Sequence, residues 1–148
     1  WPSWKVNTAG RSSVTPRVLD AWALLALLQG EEPAASRVRD LLVAAEAGTA
    51  ELFMSIINLG EVIYRIGKRY GAQAAWETRD EIRHLALEIV PASDGAVYAA
   101  VEFKIDFAIS YADAFAAATA DDLGGVLVTG DPELIGLAGR IEVEALGR

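Results

Sequence analysis

Ile109-Ser-Tyr-Ala-Asp-Ala-Phe-Ala-Ala-Ala-Thr-Ala-Asp-Asp-Leu-Gly-Gly-Val-Leu-Val-Thr-Gly-Asp131 decides the fold, because it reads as a helix feeding a buried strand. Ser110 followed by Asp113 is a helix-start pattern, the Ala-rich run after it can lie close against a sheet, and Gly124-Gly125 stops the helix. Val126-Leu-Val128 is apolar on both faces, as a parallel strand covered by helices should be. It ends in Thr129-Gly130-Asp131-Pro132, which opens another helix.

Working outward, the same strand-then-acid arrangement recurs near the start, where Arg17-Val-Leu19 runs into Asp20 and the apolar helix Ala21 to Leu28. Glu51 to Met54 reads as a second strand and Ile56 to Tyr70 as the helix after it, with Ile56, Leu59, Ile63 and Ile66 at core spacing. Ala34 to Ala47 reads as an amphipathic helix with Val38, Leu41, Leu42 and Ala45 on one face. Ala72 to Leu87 is expected as a helical hairpin partner, Ile89-Val90 as a strand, and Asp94 as the cap of a helix to about Lys104. Pro132 to Leu137 is expected as a short helix and Ile141 to Val143 as a last strand. Strands alternating with helices predict an α/β domain: a central parallel sheet of about five short strands, covered by helices on both faces.

In such a sheet the carboxyl ends of the strands lie along one edge, and ligands bind in the crevice outside it. Asp20, Asp113 and Asp131 would meet there. Glu61 is the fourth candidate, on a helix where Ser55, Asn58 and Glu61 recur every third residue and share a face. Each acid also has a plainer reading: Asp20, Asp113 and Asp131 as helix-start residues, Glu61 as the partner of Arg65 one turn on. Four carboxylates about 5 Å apart would repel by roughly 3 kcal/mol per pair at an effective dielectric near 20, so a fold that gathers them needs cations or bound protons. Oxygen ligands without Cys or His point to Mg²⁺ or Mn²⁺ rather than Zn²⁺.

The chain has 148 residues, 53% hydrophobic and 23% charged, which suits one globular domain. Trp1 to Thr15 lacks periodicity and reads as a disordered leader or expression remnant ahead of a domain over residues 16–148. With no cysteine there is no disulfide framework, and reduced cytoplasm is the expected location. Ala21 to Leu28 is far short of the ~20 apolar residues of a membrane span, which predicts a soluble chain with no membrane partner. The net charge of −8 is unlike the basic footprint of a protein that holds nucleic acid by counterion release alone.

As an ordered set, Asp20 after the first strand, Glu61 after the second, Ile109-Ser-Tyr-Ala-Asp-Ala-Phe-Ala-Ala-Ala-Thr-Ala, and Val128-Thr-Gly-Asp-Pro-Glu-Leu resemble PIN-domain ribonucleases. The likeness is nearest to single-domain VapC-type toxins of toxin–antitoxin pairs and runs from about Arg17 to about Leu146. It implies a metal-dependent endoribonuclease that leaves a 5′-phosphate and a 3′-hydroxyl. Asp20, Glu61, Asp113 and Asp131 match the family's acidic quartet, which holds Mg²⁺ or Mn²⁺, and Ser110 and Thr129 stand at the polar positions that orient it. The resemblance also implies a VapB-type antitoxin docking over the early helices, where Trp22, Leu25 and Leu28 run, and a homodimer.

Arg65, Lys68 and Arg69 follow Glu61 and are candidates for the RNA backbone, as are Arg79 and Arg83 on the next helix, although a solvated face explains the latter pair equally well. His84, the only histidine, has no motif around it and reads as an ordinary surface residue. A phosphate-accepting receiver pocket fits poorly: a lone Asp20 is followed by Ala21-Trp22, and no Lys follows Val126. An Asp-nucleophile phosphatase would want a second Asp where Trp22 stands. A housekeeping PIN nuclease of RNA maturation and a non-catalytic, degenerate PIN or acidic regulatory domain remain as alternatives.

Overall fold

Three short strands make the centre of the sheet because their residues are apolar in both directions. In β1 (Pro16–Leu19) Val18 faces one side and Leu19 the other; Phe53 and Met54 do the same in β2 (Glu51–Ser55), and Leu127 and Val128 in β4 (Val126–Thr129). The edge strands β3 (Glu88–Val90) and β5 (Glu142–Ala145) complete an all-parallel sheet in the order β3-β2-β1-β4-β5. The computed structural model describes residues 14–147, so the leader reading for residues 1–15 lies, but for its last two positions, outside the described residues.

Seven helices cover the two faces among the described residues. On one side α1 (Ala21–Gln29), α2 (Ala34–Glu46), α3 (Ile56–Tyr70) and α4 (Ala72–Ile82) close a core with Leu24, Val38, Leu59, Val62 and Ile82 against Leu19, Met54 and Val128. On the other, α5 (Asp94–Asp106), α6 (Tyr111–Leu123) and α7 (Pro132–Ile135) bury Phe103, Phe115 and Leu134 against Val18, Phe53 and Leu127. The expected doubly covered parallel sheet is the observed one.

The helix α6 can press close to the sheet because Ala114, Ala116, Ala117, Ala118 and Ala120 present almost no bulk and are buried. The two glycines after it are required for different reasons. Gly124 takes the left-handed cap conformation at φ 62°, and a Cβ on Gly125 would stand 2.4 Å from the Pro16 carbonyl oxygen. The edge strand β5 is fastened through Glu144, which accepts from Arg17 Nη1 of β1 at 2.9 Å and from Arg37 Nε of α2 at 2.7 Å. Those guanidiniums, Arg37 first, hold the Glu144 carboxyl below its ordinary range against the opposing effect of burial.

Several boundaries differ from expectation, the short helix expected to reach Leu137 ending at Ile135 among them, and three have a physical reason. The helix expected to run to Leu87 ends at Ile82, and the chain turns there so that Glu88 can pair beside Phe53. Sheet pairing overrides the helical pattern of the intervening residues. Ser93, not Asp94, caps α5: its extended backbone lets Oγ accept from Ala96 N at 3.2 Å, and Asp94 becomes the first-turn acid. The last strand runs Glu142–Ala145 rather than Ile141 to Val143, because its register with β4 carries on to Thr129 opposite Ala145.

The strand order sets the position of the site. From β1 the chain builds outward to β2 and β3, then returns to lay β4 and β5 on the other side of β1. The reversal lies between β1 and β4, and ligand crevices of open parallel sheets form at such a point, outside the carboxyl ends. No helix among the described residues is long and apolar enough to cross a membrane.

Candidate metal centre

At that reversal the chain places four carboxylates around one cleft of about 90 Å³, lined by Asp20, Ala21, Trp22, Leu25, Glu61, Arg65, Asp113 and Asp131. They come from four elements. Asp20 follows β1, Glu61 lies on the second turn of α3, Asp113 on the first turn of α6, and Asp131 follows β4.

The helix-start readings hold at the same time. Asp20 Oδ1 accepts from Ala23 N at 2.9 Å and caps α1, while Asp131 Oδ1 accepts from Glu133 N at 2.9 Å and caps α7. Asp113 donates its backbone N–H to Ser110 Oγ at 3.1 Å, which closes the start of α6 and leaves the Asp113 carboxylate turned to the cleft. Glu61 accepts from Arg65 Nε at 3.1 Å and pairs with Nη2 at 3.0 Å. The capping bonds are what aim these side chains.

Asp20 is the innermost of the set, 2% exposed, and its second oxygen accepts the Thr129 hydroxyl at 2.5 Å. Thr129 in turn accepts from Asp131 N at 3.0 Å, so one buried hydroxyl ties together the acids at the ends of β1 and β4. Burial pushes the Asp20 carboxyl up to about 7, against the hydrogen bonds from Thr129 and Ala23, and the charges of Asp113 and Asp131 push the same way. Asp113 is raised to about 6, by burial first and then by Asp131, with Glu61 and Glu133 adding and Ser110 opposing. Two neighbouring carboxyls raised together mark a place where negative charge lacks compensation.

Among the described residues, Asp113, Asp131 and Glu133 bring one carboxylate oxygen each within 4.8 Å of one another. Glu133 is absent from the expected set. Its exposed position and its place two residues after Asp131 make it look like a first-turn helix acid, which it also is. The available signal is Asp131-Pro-Glu133 itself: in a one-turn helix the second acid cannot be carried far from the first. The donors are all carboxylate oxygens, the hard set that Mg²⁺ or Mn²⁺ takes, and three of them can approach a single ion. The residues present fit a divalent cation of that kind.

The other candidates separate. Ser110 and Thr129 hold acids as described, and Asn58 is buried on α3. Arg65 lines the cleft, but Lys68 lines a different, apolar groove between α3 and α4, and Arg69 lies over the Tyr70 ring at 5.3 Å. Arg79 pairs with Asp80 and covers Trp76, and His84 is exposed in the turn after α4. Trp22 forms a wall of the cleft by packing on Gly130, where a Cβ would meet three ring carbons at 2.3 to 2.5 Å.

No curated protein matches the sequence. Solved structures do match in shape. The chain is similar to the VapBC2 structure from Rickettsia felis bound to a promoter DNA fragment, at TM-score 0.69 and 17% identity, over 89% of this chain and 99% of that one. It is similar to a toxin–antitoxin complex from Klebsiella pneumoniae at TM-score 0.63 and 22% identity, over 86% and 95% of the two chains. It is also similar to VapC20 of Mycobacterium tuberculosis, described as a sarcin–ricin-loop-cleaving toxin, at TM-score 0.66 and 16% identity, over 82% and 95%. At these identities the likeness establishes the fold. Family membership rests on sequence instead: the PIN domain model matches residues 17–139, a span that contains every acid of the cleft, and the chain belongs to the PIN domain family.

Proposed function

We propose that this protein is an Mg²⁺- or Mn²⁺-dependent endoribonuclease of the VapC toxin kind. The observation that carries the reading is the convergence of Asp20, Glu61, Asp113 and Asp131 on one cleft, with two of the carboxyls raised by burial and mutual repulsion. Family membership supports it, and so do the shapes shared with toxin–antitoxin structures and with a toxin described as cleaving the sarcin–ricin loop.

Asp113, Asp131 and Glu133 would hold the cation, and Asp20 and Glu61, which share the cleft with the two aspartates, would add their charge. Bound there, a divalent ion lowers the pKa of a water molecule and stabilises the charge that builds at a phosphodiester during in-line displacement. The protein's own part is positioning. Thr129 fixes Asp20 and the turn to Asp131, and Ser110 fixes the turn that carries Asp113. Arg65, held by Glu61 at the cleft wall, is the cation placed to meet a backbone phosphate. The VapB-type antitoxin, the homodimer and the cytoplasmic setting belong to the same reading, the last in keeping with a chain free of cysteine.

The test is cleavage of a mixed RNA pool by the purified chain with Mg²⁺ or Mn²⁺, with EDTA, and with Asp20→Asn. Metal-dependent cleavage that vanishes in the variant, with 5′-phosphate product ends, supports the enzyme. Equal inactivity of parent and variant across ribosomal, transfer and messenger RNA would reject it in favour of a non-catalytic PIN domain.

A further inference from the structure

Asn58 is completely buried on α3, one helical turn before Glu61. Its Nδ2 donates to the Ala112 carbonyl oxygen at 2.9 Å, and Ala112 is the immediate neighbour of Asp113 in the first turn of α6. Among the described residues its other arm, Oδ1, has no hydrogen-bond partner. As a packing residue this is a poor choice, because an apolar side chain of similar volume would bury nothing unsatisfied. The bond is a cross-link between two elements that are far apart in sequence, and each of them carries a cleft acid within a turn of it. Ser110 fixes Asp113 only within α6, whereas the Asn58 amide ties the first turn of α6 directly to α3, in addition to the packing the two helices share.

We propose that Asn58 is a positioning residue: its amide pins the start of α6 to α3, so that Asp113 and Glu61 stay turned to the same cleft. This rests on the metal-nuclease reading above. Such a tie acts on metal affinity and turnover through its neighbours, and supporting residues of this sort are worth about 10- to 100-fold when removed.

The experiment compares the parent with Asn58→Leu, which keeps the volume and removes both polar arms, and Asn58→Asp, which keeps the shape and removes the donor. Three readouts are taken: the melting temperature, the Mn²⁺ dissociation constant from the EPR signal of free ion, and kcat and KM for RNA. The expected result is Asn58→Leu melting no lower than the parent, with Mn²⁺ binding weakened about 10- to 100-fold and kcat falling while KM holds. Asn58→Asp shows the same loss of turnover despite its matching shape. The proposal is overturned if Asn58→Leu folds and binds Mn²⁺ as the parent does, or if neither variant folds, which makes Asn58 a stability element only. A parent that binds no Mn²⁺ and cleaves no RNA removes the nuclease reading and this one with it. A parent that does both, matched by Asn58→Leu, removes this one alone.

Discussion

The Thr129 hydroxyl donates to Asp20 Oδ2 at 2.5 Å across 109 positions of sequence, inside a region where both residues are buried. Removing it leaves a buried carboxylate with one oxygen unanswered and frees the turn to Asp131. Thr129→Val, close in shape, is expected to lose about 1–3 kcal/mol of stability in urea unfolding and most of the RNA cleavage. Thr129→Ser keeps the donor and should retain the larger part of both. A valine variant as stable and as active as the parent would show the hydroxyl to be dispensable.

The raised acids make stability depend on pH with a definite sign. Asp20 binds its proton up to about 7 in the folded chain and to 3.8 by its ordinary value, and Asp113 up to about 6. Between those limits the folded state holds more protons than the unfolded one, so the metal-free protein loses stability as pH rises from about 4 to 7. Asp20→Asn should flatten that slope, seen as a smaller difference between the urea midpoints at pH 5 and pH 7.5. Divalent metal at neutral pH should raise the midpoint, stabilising the fold by about 2.7 kcal/mol at a hundredfold excess over its dissociation constant, and EDTA should reverse it. Equal slopes in parent and variant would remove the electrostatic account of the cleft.

Gly130→Ala brings a methyl into the Trp22 ring, where a Cβ would stand 2.3 to 2.5 Å from three ring carbons, so the ring or the backbone must shift. The cost expected for such overpacking is about 1–3 kcal/mol. Adding Trp22→Leu in the same chain should recover part of it, so that the double-mutant cycle gives a coupling well above the scatter of independent sites. Additive losses would mean that the ring and the glycine are not in contact.

Of Arg65, Lys68 and Arg69, it is Arg65 that lines the cleft. Arg65→Gln is expected to weaken RNA binding and to reduce the slope of log K against log salt by about one. Lys68→Gln and Arg69→Gln should leave both unchanged. The check is a fluorescence titration on a metal-free, non-cleavable RNA at several salt concentrations. Equal effects from all three would place the RNA along α3 rather than over the cleft.

Much of this fold is legible in the chain because local rules and tertiary demands agree. Val126-Leu-Val128 and Arg17-Val-Leu19 are apolar in both directions and each ends in a helix-capping acid, so the strand, the turn and the cleft are written in the same few letters. Agreement fails where a distant partner decides. The residues from Arg83 to Leu87 have a helical pattern, but Glu88 must reach the sheet edge beside Phe53, and the turn needed for that has no local signature. Ser93 and Asp94 are both good caps, and only the entry angle of the chain chooses between them. Glu133 follows Asp131 to Asp113 by its spacing of two, but the same spacing is what any first-turn helix acid has, so the local rule hides the shared site. Lys68 and Arg69 differ from Arg65 by the curvature of one helix surface and by what α4 covers.

The sheet order has a consequence for the newly made chain. β1 is synthesised first, yet one of its two neighbours, β4, arrives 109 residues later and brings the threonine that completes the Asp20 environment. Until then Asp20 has no Thr129, Asp131 does not exist, and the groove between β1 and β4 has only one wall. A growing chain, or one broken off before β4, therefore carries acids without the cleft that gathers them. Whatever the finished cleft does, a chain that stops short of Asp131 cannot do it.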